Sequence, residues 1–124
     1  MIAIPSSALI VVVDDDVFER MGASAMFSDA GYQVLEADNA DDALNLFETK
    51  VDIRLLFTDV TMPGLMSGSD LARQVAERWP GIGIIMTSGR PRPLKLPPSM
   101  QFHEKPYQPA AVLRQARAMT ANLG

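Results

Sequence analysis

The stretch VVVDDDVFER, residues 11–20, sets an apolar run directly against three consecutive carboxylates. The valines are typical of a buried β-strand, whereas Asp14, Asp15 and Asp16 repel one another and are costly to bury without compensation. This stretch predicts a strand that ends in concentrated negative charge. The reason for so much negative charge has to be read from the rest of the chain.

Composition limits the kind of protein that carries this strand. A length of 124 residues with 48% hydrophobic content fits a single domain with a real core, expected at 8–124 after a short leader at 1–7. The net charge of −4 argues against non-specific binding to nucleic acid, which needs a basic surface. The absence of cysteine excludes disulfides and thiolate metal sites.

No membrane or export segment is evident in the sequence. The longest apolar run, ALIVVV (8–13), is far too short to cross a bilayer. The first residues lack the basic region and cleavage site of a signal peptide. We therefore expect a cytoplasmic protein without a membrane partner.

Short apolar runs alternate with helical patterns along the chain. In the first helical pattern, apolar residues recur at helical spacing from Ala23 to Ala30, and Gly31 ends it. Asn39 and Ser67 are predicted N-caps of two later helices. This alternation predicts an α/β fold with a parallel sheet, in which ligands bind at the carboxyl ends of the strands. The predicted strands lie at 9–13, 34–37, 53–57, 82–86 and 100–103.

Reactive polar residues follow four of these strands. The first ends in the acid triplet, the third in Asp59, the fourth in Thr87 and Ser88, and the fifth leads to Lys105. Carboxylates at this density favour a hard cation such as Mg²⁺, which also bridges to phosphate. With the repulsion relieved, one acid is free to act as a nucleophile that forms an acyl phosphate. Lys105 and Ser88 then stabilise the transferred phosphoryl group.

Four sequence stretches, VVVDDD, LLFTDVTMPG, TSG and EKPY, occur in this order across essentially the whole chain. With them the chain resembles the receiver domain of bacterial two-component response regulators. The resemblance implies a doubly wound, flavodoxin-like sheet of five parallel strands in the order 2-1-3-4-5. It also implies a signalling domain that promotes only its own phosphorylation and dephosphorylation. Because the last predicted helix ends the sequence, we expect no output domain.

The resemblance assigns the central chemistry to the acids. Asp59 corresponds to the phosphoacceptor, which takes its phosphoryl group from a sensor histidine kinase or a histidine phosphotransfer protein. Asp15 corresponds to the direct Mg²⁺ ligand of the first strand, and Asp14 to an acid that acts mainly through water. Asp59 itself and the backbone carbonyl of Thr61 complete the implied metal site.

The resemblance also assigns the residues that respond to phosphorylation. Lys105 corresponds to the family's lysine, and the Lys105–Pro106 bond to one that is cis in the family. Ser88 and Phe102 correspond to the switch pair, although Phe102 fits simple core packing equally well. Thr87 and Ser88 face opposite sides of their strand, and we favour Ser88 because Gly89 after it leaves room for the phosphoryl group.

Two segments depart from the family's spacing. The loop from Asp59 to Gly68 is one residue longer than usual, and the span from Ser88 to Lys105 is several residues shorter. Interior prolines cost a helix about 3 kcal/mol each. We therefore expect the family's fourth helix to be missing or reduced to a turn. The prolines that exclude this helix are Pro91, Pro93, Pro97 and Pro98.

Two other functions are compatible with part of the pattern. A phosphatase resembling the haloacid dehalogenase superfamily would use the acid triplet and Lys105, but it needs a late acidic pair. From Ser88 to the end of the chain there is no Asp and only one Glu, Glu104. The second alternative is a degenerate receiver that binds partners without phosphorylation, against which the intact set of acids, serine and lysine argues.

Overall fold

The apolar run at the start of the sequence forms an interior strand of the sheet. In the computed structural model, which describes residues 8–50, 52–90 and 100–121, this strand is β1 (Leu9–Val13). Its side chains alternate between the two faces of the sheet, and every one from Ile10 to Val13 is buried. Burial on both faces explains why the strand is a continuous apolar run and not an alternating one.

The sheet contains five strands in the order β2-β1-β3-β4-β5, and every neighbouring pair is parallel. The predicted flavodoxin-like α/β fold is therefore confirmed. The other elements are α1 (Val17–Asp29), β2 (Gln33–Ala37), α2 (Ala40–Thr49), β3 (Ile53–Asp59), α3 (Gly68–Arg78), β4 (Gly83–Ser88), β5 (Met100–Glu104) and α4 (Pro109–Thr120).

Three strands run further toward the carboxyl edge than their predicted ranges, β3 and β4 by two residues and β5 by one. Asp59 still pairs with Thr87, and Ser88 with Glu104, so that β3 and β4 each continue two residues beyond their last large apolar side chain. The predicted ranges stopped at the last large apolar side chain because they followed hydrophobicity, although Asp59 and Ser88 were already expected at the ends of these strands. Asp59 and Ser88 consequently belong to the sheet itself.

Helices cover both faces of the sheet and bury two apolar clusters. α1 and α4 cover one face, where Phe27 and Val112 pack with Ile10. α2 and α3 cover the other, where Phe47 and Leu71 join the second cluster. Because helices cover both faces of the sheet, a ligand can reach the strands at their carboxyl edge.

Helix caps set the positions of the elements next to the site. Asp16 is the N-cap of α1, and its carboxylate accepts hydrogen bonds from the backbone N–H groups of Phe18 and Glu19. Ser67 forms the predicted capping box with Asp70 at α3. These caps satisfy backbone donors that the helix itself leaves unpaired.

The expected loss of the fourth helix concerns residues 91–99, which lie outside the described residues, and it stays a prediction. The predicted leader at 1–7 lies outside them as well. Among the helices that the structure describes, none combines the length and the apolar character needed to cross a membrane.

Candidate functional site

Three carboxylates meet where β1 and β3 end. The two strands are parallel neighbours with Val13 paired to Thr58, so the residues that follow, Asp14 and Asp59, lie side by side at the carboxyl edge. One carboxylate oxygen from each of Asp14, Asp15 and Asp59 lies within 4.8 Å of the other two. The structure thus brings together the three acids that the sequence predicted as metal ligands.

Asp14 is buried at the centre of this acidic cluster, with only 7% of its surface exposed. Its Oδ1 accepts a hydrogen bond of 2.9 Å from the backbone N–H of Asp16, and its Oδ2 accepts one of 3.2 Å from Lys105 Nζ. Burial raises the pKa of Asp14, and these two donors oppose the shift. Arg20 also fixes the backbone of Asp14, because its Nη1 donates a hydrogen bond of 2.8 Å to the Asp14 carbonyl oxygen.

Lys105 brings an ammonium to the acids from the end of β5. Its Nζ lies 3.2 Å from Asp14 Oδ2 and 3.5 Å from Asp59 Oδ2, and it also donates a hydrogen bond to Glu19. Burial disfavours the charge on Lys105, but the Glu19 hydrogen bond and the charges of the two aspartates outweigh it. The pKa of Lys105 therefore lies above its ordinary value.

The backbone of Lys105 is fixed as well. Its N–H donates to the Ser88 carbonyl oxygen at 2.7 Å, which ties the end of β5 to the end of β4. The Lys105–Pro106 bond is cis, as the resemblance implied. Four strands of the sheet thus place polar groups at one edge, as the prediction required.

Asp59 lies partly sheltered beside these groups, with 15% of its side chain exposed. Burial raises the pKa of Asp59, while Lys105 and a hydrogen bond from the Thr61 backbone lower it. The carboxylate is therefore costly to keep charged in the folded protein unless a cation compensates it. A divalent ion held by Asp14, Asp15 and Asp59 would supply that compensation.

A family model for the response regulator receiver domain matches residues 10–95, which include β1, β3 and β4 with their acids and hydroxyls. The chain belongs to the receiver family. This membership decides against the haloacid dehalogenase alternative, and it places the domain in two-component signalling.

Individual relatives agree with the family match. The receiver is 32% identical to the chemotaxis protein CheY of Thermotoga maritima over 111 residues, 84% of this chain and 90% of that protein. It is 36% identical to sensor kinase CckA of Brucella abortus over 86 residues, 67% of this chain but 9% of that protein. A response regulator receiver structure from Sinorhizobium medicae, 20% identical, shares the fold with a TM-score of 0.86 over 94% of this chain and 96% of its own.

The two hydroxyl residues at the end of β4 face opposite sides of the sheet. Thr87 lines a cavity of about 450 Å³ together with Asp14 and Lys105. Ser88 is buried on the face of Met86, the residue that pairs with Phe102 on β5. The structure brings Ser88 to the Phe102 side, as a switch pair requires, but their roles stay a prediction.

Three features of the receiver's site were not predicted from the sequence. Glu19 accepts a hydrogen bond from Lys105 in the first turn of α1, and the Thr61 backbone lowers the pKa of Asp59. Gly68 lies so close to β3 that a Cβ there would be 1.6 Å from the Asp59 carbonyl oxygen. The acidic first turn and the glycine at the start of α3 are visible in the sequence, but their contacts depend on how the helices dock.

Proposed function

We propose that Asp59 accepts a phosphoryl group from a phosphohistidine on a sensor histidine kinase or a histidine phosphotransfer protein. The observation that carries this proposal is the position of the Asp59 carboxylate, which lies against Asp14, Asp15 and the Lys105 ammonium. Relatives that include a chemotaxis protein and a sensor kinase support partners of this class.

The transfer needs a nucleophile and no proton. An Asp59 carboxylate oxygen attacks the phosphorus, the P–N bond of the phosphohistidine breaks, and its electron pair stays on the imidazole. Lys105 neutralises charge on the phosphoryl oxygens, and the Ser88 hydroxyl donates a hydrogen bond to one of them. Water later attacks the phosphorus, and the Asp59 carboxylate leaves. The domain thus promotes its own phosphorylation and dephosphorylation and turns over no separate substrate.

The acidic cluster fits Mg²⁺, because its donors are hard carboxylate oxygens that converge within 4.8 Å. Asp15, Asp59 and the Thr61 carbonyl would hold the ion directly, and Asp14 through water. When bound, the ion compensates the crowded carboxylates and polarises the phosphoryl group. Lys105 helps to orient Asp59, since its ammonium lies 3.5 Å from Asp59 Oδ2.

The output is a change in protein–protein contacts. Ser88 and Phe102 lie on one face of β4 and β5, so movement of Ser88 toward a phosphoryl group alters the packing around Phe102. The acidic surface, with a net charge of −4, fits protein partners and not nucleic acid or a membrane. We place this activity in the cytoplasm, where histidine kinases present their phosphohistidine.

Acetyl phosphate with Mg²⁺ tests the proposal. We expect the intact mass to rise by one phosphoryl group in the wild type, in an Mg²⁺-dependent manner, and not in Asp59→Asn. Asp29→Asn, which changes an exposed acid at the far end of α1, is the matched control and is expected to be modified normally. An unmodified wild type that still binds a partner would support the degenerate receiver, and an adduct that persists in Asp59→Asn would disprove the assignment.

A further inference from the structure

Lys105 contacts a third carboxylate that the proposed phosphoryl transfer does not use. Glu19, in the first turn of α1, accepts a hydrogen bond from Lys105 Nζ. Its side chain is 48% exposed, compared with 15% for Asp59 and 10% for Asp14. Glu19 therefore lies at the outer rim of the site, outside the three acids that converge as metal ligands.

The Lys105 ammonium is oriented toward α1 in this structure. Its hydrogen bonds go to Asp14 and Glu19, whereas its contact with Asp59 is an ion pair at 3.5 Å without a hydrogen bond. The stem of the side chain starts from a backbone position that the Ser88 carbonyl fixes. A shift of the ammonium toward a phosphoryl group on Asp59 therefore has to occur within the side chain, by rotation about its own bonds.

We propose that Glu19 is a positioning residue that holds Lys105 in the unphosphorylated domain and releases it when Asp59 carries a phosphoryl group. This inference rests on the proposed function. Phosphoryl oxygens carry more negative charge than a single carboxylate and compete with Glu19 for the same ammonium. Because the Lys105–Glu19 hydrogen bond has to break, the phosphorylation of Asp59 is slower. After phosphorylation, Glu19 in the first turn of α1 has lost its bond to Lys105.

Two simpler explanations predict different results. An exposed ion pair without a role in the chemistry would leave the phosphorylation rate unchanged. If only the negative charge at the rim of the site mattered, replacing any acid near the start of α1 would change the phosphorylation rate equally. Asp16 is the matched control, because its side chain is exposed and, among the described contacts, bonds only to the α1 backbone; Asn is an equally good N-cap there.

Rates of modification by acetyl phosphate and Mg²⁺ separate these explanations. We expect Glu19→Gln to be phosphorylated about two- to fivefold faster than the wild type, the range of an exposed ion pair, and Asp16→Asn to match the wild type. Equal acceleration in both variants, or no acceleration in Glu19→Gln, would overturn the proposal.

The side-chain carboxyl carbons of Glu19 and Asp16, followed by NMR, report the contact directly. We expect the Glu19 signal, and not that of Asp16, to differ between the wild type and Lys105→Met. Beryllofluoride with Mg²⁺ should move the wild-type Glu19 signal toward the Lys105→Met position, and an unmoved signal would overturn the release. If acetyl phosphate does not modify the wild type at all, the proposed function fails. The Lys105–Glu19 contact is then still tested by comparing the Glu19 signals of the unmodified wild type and Lys105→Met.

Discussion

The α-carbon of Gly68 packs directly against the backbone carbonyl of Asp59. A methyl group at Gly68 would lie 1.6 Å from that oxygen and 3.0 Å from the carbonyl oxygen of Val60. Both neighbours are backbone atoms, which cannot rotate away as the end of a side chain can. The start of α3 thus fixes where β3 presents its last carboxylate.

This contact predicts the effect of Gly68→Ala. We expect a loss of about 1–3 kcal/mol in the free energy of unfolding, as for an overpacked core, and slower modification of Asp59 by acetyl phosphate. Chemical denaturation and intact mass measure the two effects. Gly22→Ala is the control, since nothing lies within 4 Å of a Cβ there, and a helical Gly→Ala should stabilise by about 0.5–1 kcal/mol. A fully stable and active Gly68→Ala would contradict the packing argument.

The raised pKa of Asp59 predicts how stability depends on pH. Because burial raises the pKa in the folded state above 3.8, the folded protein binds a proton more tightly than the unfolded chain. Stability from this group is lost as the pH rises above 3.8 through the folded-state pKa. Without Mg²⁺, we therefore expect Asp59→Asn to melt at a higher temperature than the wild type at pH 7.

The advantage of Asp59→Asn should shrink as the pH falls toward 3.8, where the wild-type carboxyl becomes protonated. Thermal melts in a series of buffers provide this measurement. Asp29→Asn, with its acid exposed at the opposite end of α1, controls for net charge. A difference in melting temperature that stays constant from pH 7 to pH 4 would show that burial of the Asp59 charge is not its cause.

Asp15 is the exposed member of the acidic cluster, so its loss should remove the metal and spare the fold. At a Mg²⁺ concentration 100-fold above the dissociation constant, a bound ion stabilises a protein by about 2.7 kcal/mol. We expect the wild type to show this gain in denaturant unfolding and Asp15→Asn to show none. Asp16→Asn, the next acid of the triplet, should keep the full gain. Wild-type affinity for Mg²⁺ in Asp15→Asn would rule out the assignment of Asp15 as a ligand.

Replacing Lys105 should have opposite effects on phosphorylation and on metal binding. Lys105→Met removes the charge that faces the phosphoryl group, and we expect modification by acetyl phosphate to slow by about 100-fold. The same change removes a cation that lies 3.2 Å from Asp14 and 3.5 Å from Asp59, so Mg²⁺ should bind more tightly in a calorimetric titration. Lys50→Met, at the exposed end of α2, should change neither. Weaker Mg²⁺ binding in Lys105→Met would contradict this electrostatic account.

The sequence predicts the acids and the lysine well, because parallel strands deliver their last residues to one edge whatever the loops do. Asp14, Asp59 and Lys105 meet for this reason. Glu19 was missed, since its contact depends on the angle at which α1 leaves β1 and on a long side chain reaching from β5. Gly68 was missed because a close approach between backbones leaves no mark on hydropathy. The lengths of β3 and β4 were underestimated because hydropathy does not report backbone pairing.

The position of β1 has a consequence for the timescales of the domain. This strand is buried on both faces and paired on both edges, so its amides should exchange with solvent only when the whole domain opens. Among the described strands, β5 has a neighbour on one edge alone, and it should open in smaller and more frequent fluctuations. We therefore expect the strand that carries Asp14 and Asp15 at its end to exchange most slowly, and the conformational exchange that accompanies phosphorylation to be confined to the Lys105 side of the sheet.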